Sequence, residues 1–203
     1  MSQPSQAQVI EGVSLRHTST PRDSGLALAP DAVTHLVAGA GEAPAAERLA
    51  RAWAQAGRPG AFTLLLDRQP PPLPDGVSFQ LVAGPDALEA AVRDRLSRAS
   101  VGLRLYIAGP EGFVRRVAVA AAAAGLADDE VLVEVHGSGA RRVWCAHCKV
   151  VTEGATHDLM PCAGCGRSLI VYHHFSRRLG AFMGFQADAE VAGELPEVHE
   201  RWP

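Results

Sequence analysis

No apolar run in this chain approaches the roughly 20 residues that a helix needs to span a bilayer. The longest, residues 117–126, is mostly alanine and is broken by Gly125. A transmembrane helix is thereby excluded. The N-terminus, Met1-Ser2-Gln3-Pro4, has no basic segment leading into an apolar one, so export is not expected and the chain is placed in the reducing cytoplasm. Aromatic residues make up only 5% and the net charge is −3, which leaves no broad basic footprint for coating nucleic acid. Disorder is excluded from the other side, because 47% of the residues are hydrophobic. Lysine occurs once, at Lys149, against eighteen arginines, and alanine occurs thirty-five times. That skew fits a GC-rich bacterial genome, so the number of arginines carries no weight as evidence for phosphate binding. Cysteine is scarce as well, and four thiols in a reducing compartment point to metal ligation before disulfides.

What is present is 203 residues, enough for one medium domain with a small appendage. Residues 1–31 are rich in Ser, Gln, Pro and Thr with no sustained period, and read as an N-terminal arm or cover. Residues 32–139 alternate short apolar runs with helix-period segments, the pattern of βαβ units building a parallel sheet. Strands are expected at His35-Leu36-Val37-Ala38, 62–66, 77–82, 103–107 and 131–135. Helices are expected where Ala46, Leu49, Ala50 and Trp53 share a face, where Leu88, Val92 and Leu96 do, and where Phe113, Val117, Ala120 and Ala121 do. Between the second and third strands, residues 69–74 carry four prolines and read as a surface excursion, because four of the six lack a backbone donor. The fold class is α/β: a Rossmann-like five-stranded parallel sheet of order 3-2-1-4-5. Gly137-Ser138-Gly139 then reads as a flexible hinge into residues 140–203, a four-cysteine zinc ribbon with a docking tail.

Cys145-Ala146-His147-Cys148 and Cys162-Ala163-Gly164-Cys165 form C-x2-C twice, thirteen residues apart. Each pair can present two thiolates to one tetrahedral ion, and four thiolates close the shell, leaving no position for a catalytic water. The expected ion is a structural Zn2+, which would organise a module too small to build a core of its own. A rubredoxin-like iron uses the same four sulfurs. His147 and His157 lie nearby and read as loop histidines. At the other end, Gly39-Ala40-Gly41 before a helix is half of a dinucleotide fingerprint; Gly39, Gly41 and Gly109 would lie at the sheet edge where such folds hold NAD(P)H. The sixth fingerprint position is Pro44, and a tight strand-to-helix turn accounts for the glycines equally well. Residues 172–186 interleave His173, His174, Phe175, Arg177, Arg178, Phe182, Met183 and Phe185 without an amphipathic period. This composition matches the centre of protein interfaces, so partner docking is the preferred reading. Single-stranded nucleic acid, a His-ligated haem or metal, and completion of the ribbon's own core are the competing readings.

The run from Trp144-Cys145 through Cys165-Gly166 to His173-His174-Phe175-Ser176-Arg177-Arg178-Leu179-Gly180-Ala181-Phe182-Met183-Gly184-Phe185-Gln186 resembles the dimethylamine monooxygenase subunit DmmA family. Residues 34–136 are similar to the NAD-binding domain of ferredoxin reductase-type flavoenzymes, chiefly through Ala108-Gly109-Pro110-Glu111-Gly112-Phe113. In those reductases a cysteine stands where this chain has Ala108, and a flavin-binding barrel precedes the domain. The resemblance implies an accessory subunit of a bacterial, cytoplasmic, hetero-oligomeric complex for oxidative N-demethylation of dimethylamine. Its partners would be a haem oxygenase and a flavin and iron–sulfur reductase, and no catalytic residue is assigned to this chain. An NAD(P)H-binding or rubredoxin-like electron-transfer subunit of the same complex, and a zinc-ribbon nucleic-acid module, are the alternatives. Neither nucleic acid nor membrane is an expected partner.

Overall fold

The computed structural model describes residues 19–21, 23–42 and 44–203; the remainder of the expected arm lies outside the described residues. The chain builds β1 (Thr34–Gly39), α1 (Pro44–Gln55), β2 (Ala61–Leu66), β3 (Ser78–Leu81), α2 (Gly84–Leu96), β4 (Leu103–Gly109), α3 (Glu111–Ala123) and β5 (Val131–Val135). These strands form one sheet, ordered β3-β2-β1-β4-β5, and every pairing in it is parallel. The expected order is therefore the observed one. Both faces of the sheet are covered, which is why Leu36-Val37-Ala38-Gly39 of β1 and Leu105-Tyr106-Ile107-Ala108-Gly109 of β4 are unbroken by polar alternation. Val37, Leu64 and Tyr106 pack under Ala46, Leu49 and Trp53 of α1. On the opposite face Leu36, Leu105 and Ile107 meet Leu88 and Val92 of α2 and Phe113, Val114 and Val117 of α3. Burying one such large side chain contributes about 1.5–3 kcal/mol.

The edge strand β5 is not left open. Residues 23–26 run along it, with Gly25 N–H donating to Val133 O (3.1 Å) and Val135 N–H to Asp23 Oδ2 (2.9 Å). Leu26 and Leu28 pack against the core under α1. The opposite edge, β3, is exposed at all four of its residues.

A second sheet follows: β6 (Arg141–Cys145), β7 (Val151–Ala155), β8 (Leu159–Pro161), β9 (Ser168–Ser176) and β10 (Ala181–Gln186), ordered β7-β6-β10-β9-β8. All pairings are antiparallel except β6 with β10, which lie parallel although some forty residues separate them. The residues between the sheets depart from the expected hinge. His136 N–H donates to Gly109 O (2.9 Å), Glu111 N–H to Ser138 O (3.0 Å) and Gly139 N–H to Pro203 O (2.8 Å), so the connection is tied at three points.

The sheets meet along α3. Arg115, 7% exposed, donates to both carboxylate oxygens of Glu111 (2.9 and 3.0 Å), pairs with Asp23 (3.3 Å) and stands 5.7 Å from the Phe175 ring centre. Gly180, in the β9–β10 turn, has φ +58°; a Cβ there would lie 2.7 Å from Val119 Cγ2 and 2.9 Å from Arg115 O. Only glycine fits that approach.

Candidate metal centre

The two cysteine pairs fold the same way. Lys149 N–H donates to Cys145 O (2.9 Å) and Gly166 N–H to Cys162 O (2.9 Å); Cys145 N–H donates to Val150 O (2.9 Å) and Cys162 N–H to Arg167 O (2.8 Å). The residue after each second cysteine is left-handed, Lys149 at φ 68° and Gly166 at φ 71°. Glycine takes this conformation freely, whereas lysine adopts it at a cost of about 1 kcal/mol or more. One of the two turns is thus held in place by its surroundings.

These matched turns bring the four Sγ atoms within 4.8 Å of one another. Cys145 and Cys165 sulfurs are 3.9 Å apart, and those of Cys148 and Cys162 are 3.5 Å apart. A tetrahedral ion with Zn–S bonds of about 2.3 Å separates its sulfurs by about 3.8 Å, so the spacing already matches a closed four-thiolate shell. Burial tends to raise the Cys162 thiol, but N–H groups of Cys165 and Gly164 and its thiol neighbours outweigh it and draw Cys162 down to about 6. Cys162 thus carries the thiolate of the set, while, against the Val150 N–H, burial and the neighbouring sulfurs push Cys148 up to about 11, so that binding a metal there displaces protons. Gly164 is required by space: a Cβ would stand 2.7 Å from Val150 Cγ2 and 3.1 Å from Cys148 Sγ. His147 and His157 are exposed and stand outside the sulfur cluster.

The expected docking residues divide. Phe175 and Phe182 are 7% and 2% exposed and pack edge-to-face, 5.1 Å apart, inside the core of the second sheet. They are corrected from docking residues to core residues. Phe175 keeps the even spacing of buried Leu169 and Val171 on β9, and Phe182 that of buried Gly184 on β10, so ordinary strand alternation turns both inward once the strands are placed. His173, His174, Arg177, Arg178 and Phe185 are exposed, Met183 is half-buried, and Phe185 pairs edge-to-face with exposed Tyr172 at 5.2 Å.

The three glycines gather at the C-terminal edge of the first sheet. Gly39 pairs with Leu66 and Ala108 in the ladder. Gly41 N–H donates to Asp67 Oδ1 (2.8 Å), so the donor that would face a pyrophosphate already holds a carboxylate. Gly109, φ +147°, faces Ala40 so closely that a Cβ would lie 3.0 Å from its Cβ and its carbonyl oxygen. Sequence reasoning passed over Asp67, whose place directly after a buried strand was the available signal. It also passed over Arg141, which lies between the Phe182 and Trp202 rings at 3.8 and 3.9 Å. Burial pulls its guanidinium down to about 10, with Glu111 opposing, and it stays charged at neutral pH.

Residues 142–185 match the family model described as dimethylamine monooxygenase subunit DmmA-like, C-terminal domain, and residues 73–131 match the corresponding N-terminal domain. The heme-dependent oxidative N-demethylase delta subunit of Ectopseudomonas mendocina (strain ymp) is 40% identical over 103 residues, which cover 51% of this chain and 59% of that relative. No solved structure matches.

Proposed function

The chain belongs to the dimethylamine monooxygenase subunit DmmA-like family, and from that premise we propose that it is an accessory subunit of an oxidative N-demethylase that assembles and orients the redox-active subunits. The observation that carries this reading is the four-sulfur cluster between two matched turns. Cys145, Cys148, Cys162 and Cys165 would hold a Zn2+, which supplies rigidity to the second sheet and, with its shell closed, no site for substrate. Among the described residues no other group of three or more His, Cys, Asp or Glu is arranged to hold a metal. The relative is named as the delta subunit of a heme-dependent enzyme, and in this reading the haem, flavin and iron–sulfur groups sit on partner subunits. No described helix is long and apolar enough to cross a membrane.

On the exposed surface of β9 and β10, Tyr172, His173, His174, Met183 and Phe185, with Arg177 and Arg178 in the intervening turn, would dock one partner. Aromatic, Met and Arg side chains there have the composition of an interface centre. The glycines at the edge of the first sheet serve its packing, and the Asp67–Gly41 bond supports a cleft that takes no NAD(P)H.

The test is purification of the tagged full chain from its source cell, followed by native mass spectrometry, elemental analysis and calorimetry with NADPH. The expected result is co-elution with haem- and flavin-bearing proteins, one zinc per chain and no NADPH heat. A solitary chain would overturn the assembly role, and a red, redox-active iron preparation would make the subunit an electron carrier.

A further inference from the structure

Residues 23–29 lie over the first sheet as a strap that side chains hold more than backbone does. Among the described residues, its one backbone-to-backbone bond to the sheet is Gly25 N–H to Val133 O (3.1 Å). The other outward groups of β5 are answered by side chains: Ser24 Oγ accepts from Val133 N–H (2.9 Å) and Asp23 Oδ2 from Val135 N–H (2.9 Å). Leu26 N–H donates to the Glu134 carboxylate (3.2 Å), and half-buried Leu26 and Leu28 rest against the core under α1. Asp23 and Ser24 are exposed. A segment with one regular backbone bond and exposed ties belongs to the low-stability end of a fold, which opens before the sheet beneath it does.

At its far end the strap is pinned from inside the core. Ala29 N–H donates to the Tyr106 hydroxyl oxygen (3.1 Å), and that hydroxyl donates to His35 Nδ1 (3.0 Å), because Nε2 is committed to donating to Pro59 O (3.0 Å). His35 and Tyr106 are both fully buried. Trp53 Nε1–H shares the Pro59 carbonyl (2.8 Å), and the Phe62 and Tyr106 rings flank the imidazole at 5.7 and 5.8 Å. The charged groups that face it are Arg104 and Asp31, paired with each other at 3.5 Å. Every donor and acceptor in this chain is matched while the imidazole is neutral. A proton added at Nδ1 turns that nitrogen into a donor to the Tyr106 oxygen, and the hydroxyl hydrogen loses its acceptor in a buried site. The Pro59 contact is the same in both states, so the strain falls on the link from Tyr106 to Ala29.

We propose that His35 and Tyr106 form an acid-sensitive latch: protonation of His35 takes the ring acceptor from the Tyr106 hydroxyl and lets residues 23–29 lift from the sheet, baring the backbone groups of Val133 and Val135 at the edge of β5. Burial holds the imidazole of the closed form below its ordinary value, against the pull of the Pro59 carbonyl. Lifting the strap admits water to the Tyr106 side of the ring and raises it toward about 6.5. The open form therefore binds the proton more readily, so closure is fully supported above about pH 6.5 and weakens as pH falls toward the closed value. Between pH 7.5 and 5.5 a ring titrating at about 6.5 when open favours opening by at most about tenfold. The latch stands on the fold alone, and its failure leaves the accessory role untouched.

The experiment follows amide exchange by NMR in the full chain at pH 7.5 and 5.5, with each rate corrected for the intrinsic pH dependence of exchange. The expected result is that the amides of Gly25, Leu26 and Ala29 are at least about tenfold less protected than those of Val37, Leu64 and Leu105 at pH 7.5, and lose several-fold more, up to about tenfold, at pH 5.5. His35→Asn should remove that response, and Tyr106→Phe should leave the three amides poorly protected at both pH values. Strap amides as well protected as the strand amides would mean that the strap opens only when the sheet unfolds, which overturns the latch. An undiminished response in His35→Asn would assign it to Asp23 or Glu134 and overturns it too. Should neither variant fold, the wild-type chain decides: the His35 ring nitrogens, read in the same spectra, must take up their proton as Ala29 loses protection, and a ring that is protonated with Ala29 still protected sinks the proposal.

Discussion

His35 is fully buried beneath α1, yet both ring nitrogens are engaged. Its Nε2 is 3.0 Å from Pro59 O, and a carbonyl can only accept, so the proton sits on Nε2. Nδ1 therefore accepts from the Tyr106 hydroxyl (3.0 Å), whose oxygen accepts in turn from Ala29 N–H (3.1 Å). A second proton on the ring would have to be accepted by the Tyr106 oxygen, which would take from the Tyr106 O–H its acceptor on the ring. Burial holds the His35 imidazole below its ordinary value, against the pull of the Pro59 carbonyl. The unfolded chain then binds the proton more readily, so this contribution to stability is complete above about pH 6.5 and is lost as pH falls toward the folded value. Against burial, Arg93 and Arg116 hold Glu89 low, and the His199 N–H, with Arg201, holds Asp158 low; both lose their contributions only at more acid pH. Thermal unfolding at pH 7.5 and 5.5 should show a drop that His35→Asn, itself less stable, does not share. Tyr106→Phe strands Ala29 N–H and His35 Nδ1 and is expected to cost about 1–3 kcal/mol in urea unfolding. Cys145→Ser should abolish stoichiometric metal in elemental analysis, because three thiolates and an alcohol no longer match the closed shell.

Elements are where sequence and structure agree most and where they part. Alternating apolar runs and helix periods located every strand and helix of the first sheet to within a residue or two, since each is governed by local pattern and by burial on both faces. The spacing of the cysteines likewise announced their cluster. The parallel pairing of β6 with β10 was beyond such reading, because strand partners separated by some forty residues leave no local trace. Gly137-Ser138-Gly139 looked like a hinge because its partners, Glu111 and Pro203, are remote in sequence. The turn at Gly180 is a sharp test of the seam it makes with α3. Gly180→Ala would force a Cβ against Val119 and the Arg115 carbonyl in a left-handed conformation, and a loss of about 2–4 kcal/mol is expected from overpacking and strain together. Arg141→Lys would replace a planar group between two rings with a point charge and should lower stability by about 1 kcal/mol.

For the molecule as a whole, the two sheets draw on different sources of order. The first has an apolar core on each face, one under α1 and one under α2 and α3. The second counts Cys145 and Cys162 among its few fully buried side chains. A strong chelator should therefore release amide protection in residues 141–186 while β1, β2 and β4 stay protected, as hydrogen exchange by mass spectrometry would record. Uniform loss of protection would mean that the seam along α3 binds the sheets into one cooperative unit.

All four cysteines lie between residues 145 and 165, but the strand that joins the two halves of the second sheet, β10, begins only at Ala181. On the ribosome the thiols emerge before that strand does. A nascent polypeptide that bound an ion at these thiols would do so before the sheet could close, and the bonds from Ser19 and Thr20 to β9, which span 156 and 153 residues of chain, would follow.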